Sequence, residues 1–276
     1  MLTKEYRICM PLTVEEYRIG QLYMIARHSL EQSDAGNGVE VIENKECHDE
    51  EHGKGQYTEK RIHLSSIFFF SIQSATILGA SVLSEGFLYS GERMELLSIH
   101  NNRIYGGYRC SFIPKLNITI LTKFEDNPGT SDNCLRVPDA TIDERTIDFV
   151  DIAFDEVAAK HYKKEEDPKC FKSAITGRGP LIEGWRQTDS PVMCSYKLVQ
   201  VSFEVWGLQT KVEDFVQRCI RDVLLLGHRQ AFTWIDEWHW MSIDDVREYE
   251  HKKQEEANQK VLAEQVPASS DPDNVE

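Results

Sequence analysis

Residues 193–206 read MCSYKLVQVSFEVW, and their strict alternation reads as a β-strand. One face carries Met193, Ser195, Lys197, Val199, Val201, Phe203 and Val205; the other carries Cys194, Tyr196, Leu198, Gln200, Ser202, Glu204 and Trp206. Lys197 therefore falls on the more apolar face. An ammonium buried there without an anion is costly, so it calls for an anionic partner or a path to water. A structural ion pair would satisfy one such lysine.

The same pattern recurs along the chain. Gln56–Leu64 alternates with Thr58, Lys60, Ile62 and Leu64 on one face. Leu116–Phe124 places Thr122 among Leu116, Ile118, Ile120 and Phe124. A capping box at Thr13 and Glu16 opens a helix predicted to run to Leu30. Its stripe of Val14, Tyr17, Met24 and Ile25 also includes Gln21. A last helix is predicted from Ser242 to about Lys260, with Ile243, Val246 and Glu250 on one stripe. Gln21, Thr58, Lys60, Thr122, Lys197 and Glu250 thus sit on faces that otherwise read as core. A solid core rarely accepts so many polar groups. A cavity accepts them if its ligand is apolar along most of its length and polar and anionic at one end, as a phospholipid is.

Strands outnumber parallel crossovers, which predicts an α+β fold, a mainly antiparallel sheet with long helices on it. The other strands are expected at Leu2–Cys9, Val39–Ile42, Tyr108–Phe112 and Phe149–Phe154, with charged or polar loops at 43–55 and 163–179. A long helix is expected over Leu208–Trp238, with Val212, Phe215, Cys219, Val223 and Leu226 as its inward stripe. One domain is expected over residues 1–260, followed by a disordered acidic tail at 261–276.

Charge narrows the partners. The chain of 276 residues carries 46 acidic against 31 basic side chains, a net charge of −15. Such a surface repels nucleic acid and is not drawn strongly to anionic bilayers. Membrane contact would be transient and led by apolar side chains. Seven cysteines without a CxxC pair suggest free thiols in a reducing compartment. Cys47, His48 and His52 lack a second ligand pair at zinc spacing. Nucleophile elbow, P-loop and dinucleotide fingerprints are absent from the sequence, which argues against an enzyme. Residues 67–83, IFFFSIQSATILGASVL, are uncharged and sit at the lower length limit for a membrane span. Their polar residues favour a buried or membrane-touching segment instead.

Several blocks resemble the phosphatidylinositol transfer protein family. They are KEYRICMPLTVEEYRIGQLYMIA (4–26), GQYTEKRIHL (55–64), EEDPKCFKSAITGRGPL (165–181), MCSYKLVQVSFEVWGLQTKVEDF (193–215) and GHRQAFTWIDEWHWMSIDDVREYE (227–250). The resemblance implies a START-like helix-grip fold, a curved, mainly antiparallel sheet with long helices enclosing a lipid cavity, which wraps one phospholipid and moves it between membranes without covalent chemistry. It implies that Thr58, Lys60 and Glu250 hold the inositol ring, while Gln21, Thr122 and Lys197 approach the phosphate. Val205-Trp206, RICMPLTV and EVWGLQT are similar to the cytoplasmic retinal-degeneration-B-beta subgroup. That likeness implies phosphatidylinositol and phosphatidic acid as cargo, with phosphatidylcholine as a third candidate, and a role in phosphoinositide signalling. Val205 and Trp206 would dock to membranes, and Ser173 and Thr176 lie in a loop where phosphorylation would be regulatory. The expected protein is a cytoplasmic monomer with transient membrane association. It needs no cofactor, the phospholipid being cargo. Residues 67–107 depart from the family pattern, which keeps open a lipid-sensing adaptor or a transfer-impaired form.

Overall fold

A computed structural model describes residues 1–32, 38–49, 53–63, 91–99, 103–109 and 115–263; over 38–109 the description is of the backbone. Eight strands are present among these: β1 (Leu2–Met10), β2 (Gly38–Asp49), β3 (Gly53–His63), β4 (Gly91–Ile99), β5 (Arg103–Arg109), β6 (Leu116–Glu125), β7 (Thr146–Val150) and β8 (Met193–Phe203). The helices are α1 (Val14–Gln32), α2 (Asp139–Glu144), α3 (Trp185–Thr188), α4 (Gln209–Thr233), α5 (Ile235–Trp238) and α6 (Ile243–Ala263). Residues 67–83 and 264–276 lie outside the described residues.

The strands form one sheet in the order β2-β3-β4-β5-β6-β8-β1-β7, antiparallel throughout except for the parallel β1–β7 pair. With β2 and β7 at its edges, the sheet is open. It also curls. β2 lies five spacings from β8, roughly 24 Å along a flat sheet. Yet α6 packs on both α1 and β2, while α1 packs on α4, which rests on β8 and β1. These contacts bring the β2 edge toward the helices that rest on β8 and β1.

Local chemistry sets these elements. Thr13 and Glu16 close the predicted capping box, with the Glu16 amide donating to Thr13 Oγ1 (3.2 Å) and the Thr13 amide to Glu16 Oε2 (2.8 Å). Ser242 and Asp245 cap α6 in the same reciprocal way, at 3.2 and 2.8 Å. β8 stops at Phe203, whose amide donates to Glu213 Oε1 on α4 (2.9 Å) instead of continuing the ladder. Val205 and Trp206 therefore lie in a turn, not in the strand. Gly207 closes that turn at φ +80°, where a Cβ is disfavoured.

Several sequence-based boundaries change. The expected loop at 43–55 is most of a hairpin, with β2 running to Asp49 and β3 starting at Gly53. The strand expected at Phe149–Phe154 is β7 at Thr146–Val150, and the one expected at Tyr108–Phe112 is β5. The long helix breaks at Trp234, and its inward stripe is not the expected one. Val223 is exposed, whereas Glu213, Gln217, Leu225 and His228 are buried. Gln217 keys α4 to the sheet: its Nε2 donates to the carbonyls of Leu2 (3.1 Å) and Val199 (3.0 Å), and its Oε1 accepts from Tyr6 (2.9 Å). Ile243 is about half-exposed, leaving Val246 as the inward anchor of α6's first turns.

The core spans β1, β8, α1, α4 and α5. At Gly20 an added Cβ would lie 2.6 Å from the Trp238 ring, so the absent side chain lets α5 seat on α1. Behind the sheet, the buried Glu5 carboxylate sits between Arg7 (2.7 Å) and Arg145 (2.8 Å), and Arg7 also donates to the Gly129 carbonyl (2.8 Å). These bonds tie down the segment between β6 and β7.

Candidate functional site

The β6–β8 register sets Thr122 opposite Lys197, Ile120 opposite Val199 and Phe124 opposite Ser195. Directly opposed residues share a face. Lys197 and Thr122 are thus brought together, and the Lys197 ammonium donates to Thr122 Oγ1 at 3.3 Å. It also lies 5.6 Å from the centroid of the Phe124 ring. Lys197 is only 7% exposed, and among the described residues it makes no salt bridge to a carboxylate. Burial pushes its ammonium down to about 8 from the ordinary 10.5. The structural ion pair that would have explained a single buried lysine is not formed among these residues.

A second layer surrounds this cation. The Tyr17 ring packs edge-on against Phe124 at 5.2 Å, and its hydroxyl meets His228 Nε2 at 2.8 Å. His228 Nδ1 lies 2.6 Å from the Leu224 carbonyl. A carbonyl only accepts, so Nδ1 carries the proton and Nε2 accepts from Tyr17. The imidazole is neutral: burial, and then the nearby Lys197 charge, pull it down to about 3. The Ser195 hydroxyl is fully buried beside Tyr17 without a well-formed hydrogen bond of its own. Tyr17, Phe124, Ser195 and His228 thus support Lys197, and sequence patterning did not single them out as site residues. Ser195 did share the Lys197 face by alternation, but Tyr17 and His228 come from α1 and α4.

The wall next to Lys197 is apolar. Ile118 and Ile120 on β6 are half-buried, opposite the buried Val201 and Val199. Gln21 lies one turn after Tyr17 on α1 and is half-buried. Glu250 lies on α6, which packs against α1 through the stacked Tyr23 and Tyr249 rings, 4.6 Å apart. Its carboxylate is mostly covered and pairs with Arg247 at 2.6 Å. Thr58 and Lys60 lie in β3, opposite Leu96 and Met94 of β4; their side chains are outside the described residues.

Trp206 is 96% exposed at the turn before α4, with Val205 half-buried beside it. Ser173, by contrast, is buried. Its hydroxyl bonds to Asp236 Oδ1 and accepts from the Thr176 amide and hydroxyl, both at 2.8 Å. Asp236 also accepts from the Ala174 amide at 2.8 Å. Arg178 closes the loop onto α1 through Glu16 at 2.9 Å. Among the described residues, no group of histidines, cysteines and carboxylates is placed to hold a metal, and no helix is long and apolar enough to cross a membrane.

The described residues thus form a curled sheet covered by helices, with the buried Lys197 ammonium set beside the half-buried Ile118 and Ile120. The family model for phosphatidylinositol transfer proteins matches residues 1–85 and 100–255, and the chain belongs to that family. It is 62% identical over 261 residues to cytoplasmic phosphatidylinositol transfer protein 1 of Drosophila melanogaster, covering 95% of this chain and 92% of that one. It is 51% identical to the human protein of the same name, over 95% of this chain and 75% of that one. Protein retinal degeneration B of Drosophila melanogaster is 39% identical over 92% of this chain and 21% of its own length. The family and the relatives so named are lipid transfer proteins, not enzymes. The two matched blocks leave 86–99 unmatched between them.

Proposed function

We propose that this chain holds one phosphatidylinositol molecule and carries it between membranes through the cytosol, as a monomer that touches bilayers transiently. The observation that carries this is the buried Lys197 ammonium, which shares Thr122 with no carboxylate among the described residues and borders a half-exposed apolar wall. A phosphate supplies the missing counter-charge, and acyl chains cover the isoleucines. Gln21, Thr122 and Lys197 form the phosphate end. Thr58, Lys60 and Glu250 hold the inositol ring, with Glu250 exchanging its Arg247 partner for inositol hydroxyls.

Phosphatidic acid is the second cargo, since the phosphate end does not require an inositol ring, and phosphatidylcholine the third. The cytoplasmic setting rests on the names of the relatives, and a role in phosphoinositide signalling follows from the cargo. Trp206, with Val205 beside it, enters the bilayer interface during exchange. Phosphorylation at Ser173 would place about two negative charges against Asp236; the buried hydroxyl requires the loop to open first, and the phosphate would then keep it open. Thr176 is the more accessible hydroxyl of the two.

Vesicle-to-vesicle transfer tests the headgroup assignment. Lys60→Ala and Glu250→Ala should lower phosphatidylinositol transfer about tenfold or more, corresponding to the loss of one charged hydrogen bond, and spare phosphatidic acid. Equal losses for both lipids would overturn it.

A further inference from the structure

Five tryptophans are present, and their exposure divides them sharply. Trp185, Trp234 and Trp238 are buried, while Trp206 is 96% and Trp240 77% exposed. Trp206 belongs to the proposed membrane tip; Trp240 has no place in that account. Trp206 precedes α4 and Trp240 follows α5; α4 alone, with 25 residues, is roughly 37 Å long at 1.5 Å per residue.

The Trp240 surface is built. It lies in the turn between α5 and α6, held by the Met241 amide donating to the Trp238 carbonyl at 3.0 Å, and the His239 ring packs edge-on against the indole at 4.9 Å. Ile243 is 48% exposed one turn further on. Exposed Ile175 is tied to the same end, its amide donating to Asp236 at 3.3 Å. The turn and the start of α6 are acidic: Asp236, Asp244, Asp245 and Glu248 stand within residues 236–248, where Glu237 is paired with Arg27 and the cation Arg247 with Glu250, each at 2.6 Å. Burial pushes the Asp236 carboxyl up, but hydrogen bonds from Ser173, Ala174 and Ile175 outweigh it and hold it below its ordinary range. Hydrogen bonds from the Ser242 amide and hydroxyl do the same for Asp245. Exposed apolar anchors beside the carboxylates of Asp244, Asp245 and Glu248 repel an anionic bilayer and complement a cationic peptide.

We propose that the Trp240–Ile243 turn is a protein-docking surface, and that its occupant is a basic, amphipathic peptide segment of a partner. The segment's apolar side chains cover Trp240 and Ile243 while its lysines or arginines meet these carboxylates. Because this turn leads into α6, the helix that packs on α1 and β2, a bound partner sits at the base of the cavity's cover.

The test is fluorescence anisotropy of a labelled amphipathic peptide of leucine and lysine, with a leucine–glutamate peptide as control, on the full chain at physiological salt. Trp240→Ala should weaken the leucine–lysine peptide about tenfold or more, the range of an interface anchor. The pair Asp244→Asn and Glu248→Gln should weaken it similarly, and Trp206→Ala should leave it unchanged. Since Trp240 is exposed, its variant should melt with the wild type. No peptide binding, or equal binding by wild type and Trp240→Ala, overturns the proposal. Sedimentation with phosphatidylserine vesicles that depends on Trp240 would also overturn it, and assign this surface to a membrane.

Discussion

Lys197 carries a burial cost to which the proposed function assigns a use. Its ammonium is covered by Phe124 and Thr122 and sits near 8 in the folded chain, against an ordinary 10.5. The unfolded chain therefore holds the proton more tightly between those two values. Stability of the lipid-free protein should be fully penalised below about pH 8 and climb as pH rises from 8 toward 10.5, by on the order of 3 kcal/mol. Thermal melts of wild type and Lys197→Met across this window should therefore converge, because the methionine variant lacks the penalty. A constant gap between the two would contradict the buried, unpaired lysine. Lys197 and Thr122 were legible in the sequence because a strand's alternation shows directly which side chains share a face. Tyr17 and His228 were not, because their hydrogen bond joins α1 to α4 across most of the chain, and only the packed fold brings them to Lys197.

At the scale of elements, alternation and capping were the reliable signals. β6, β8 and the start of α1 appear where they were expected, apart from β8's last residues. Two elements were misread, each for a physical reason. Residues 43–49 are rich in charge and read as loop, yet they belong to β2, an edge strand, and charge is how edge strands resist pairing with other chains. The stripe on α4 was misassigned because apolar periodicity equates inward with apolar, whereas α4 turns Glu213 and Gln217 inward to bond backbone groups of β1 and β8. Gln217→Leu should thus destabilise the protein by about 2–3 kcal/mol, since it strands buried partners. Val223→Ala, at an exposed apolar position of the same helix, should cost no more than about 0.5 kcal/mol. Denaturant unfolding of the two variants decides this, and a larger loss for Val223→Ala would restore the apolar stripe.

Across the whole molecule, the sheet curls so that α6, α1 and β2 meet, and the exposed Trp206 stands apart from the Lys197 site on the turn beyond β8. The docking and cargo-holding roles proposed for them are therefore separable. Trp206→Ala should lower the rate of vesicle transfer several-fold while leaving the bound lipid in place. Loss of the lipid from that variant would mean the indole supports the cavity instead. The fold class was legible in the sequence because strand patterns and long helices together admit few architectures. Where the helices cross the sheet was not, since it depends on contacts such as Gly20 against Trp238. The most direct test of the central claim is native mass spectrometry of the protein purified from cells, with the released lipid identified. One phosphatidylinositol or phosphatidic acid per chain, lost on Lys197→Ala, is the predicted result. An empty wild-type chain, or a bound lipid indifferent to Lys197, would contradict it.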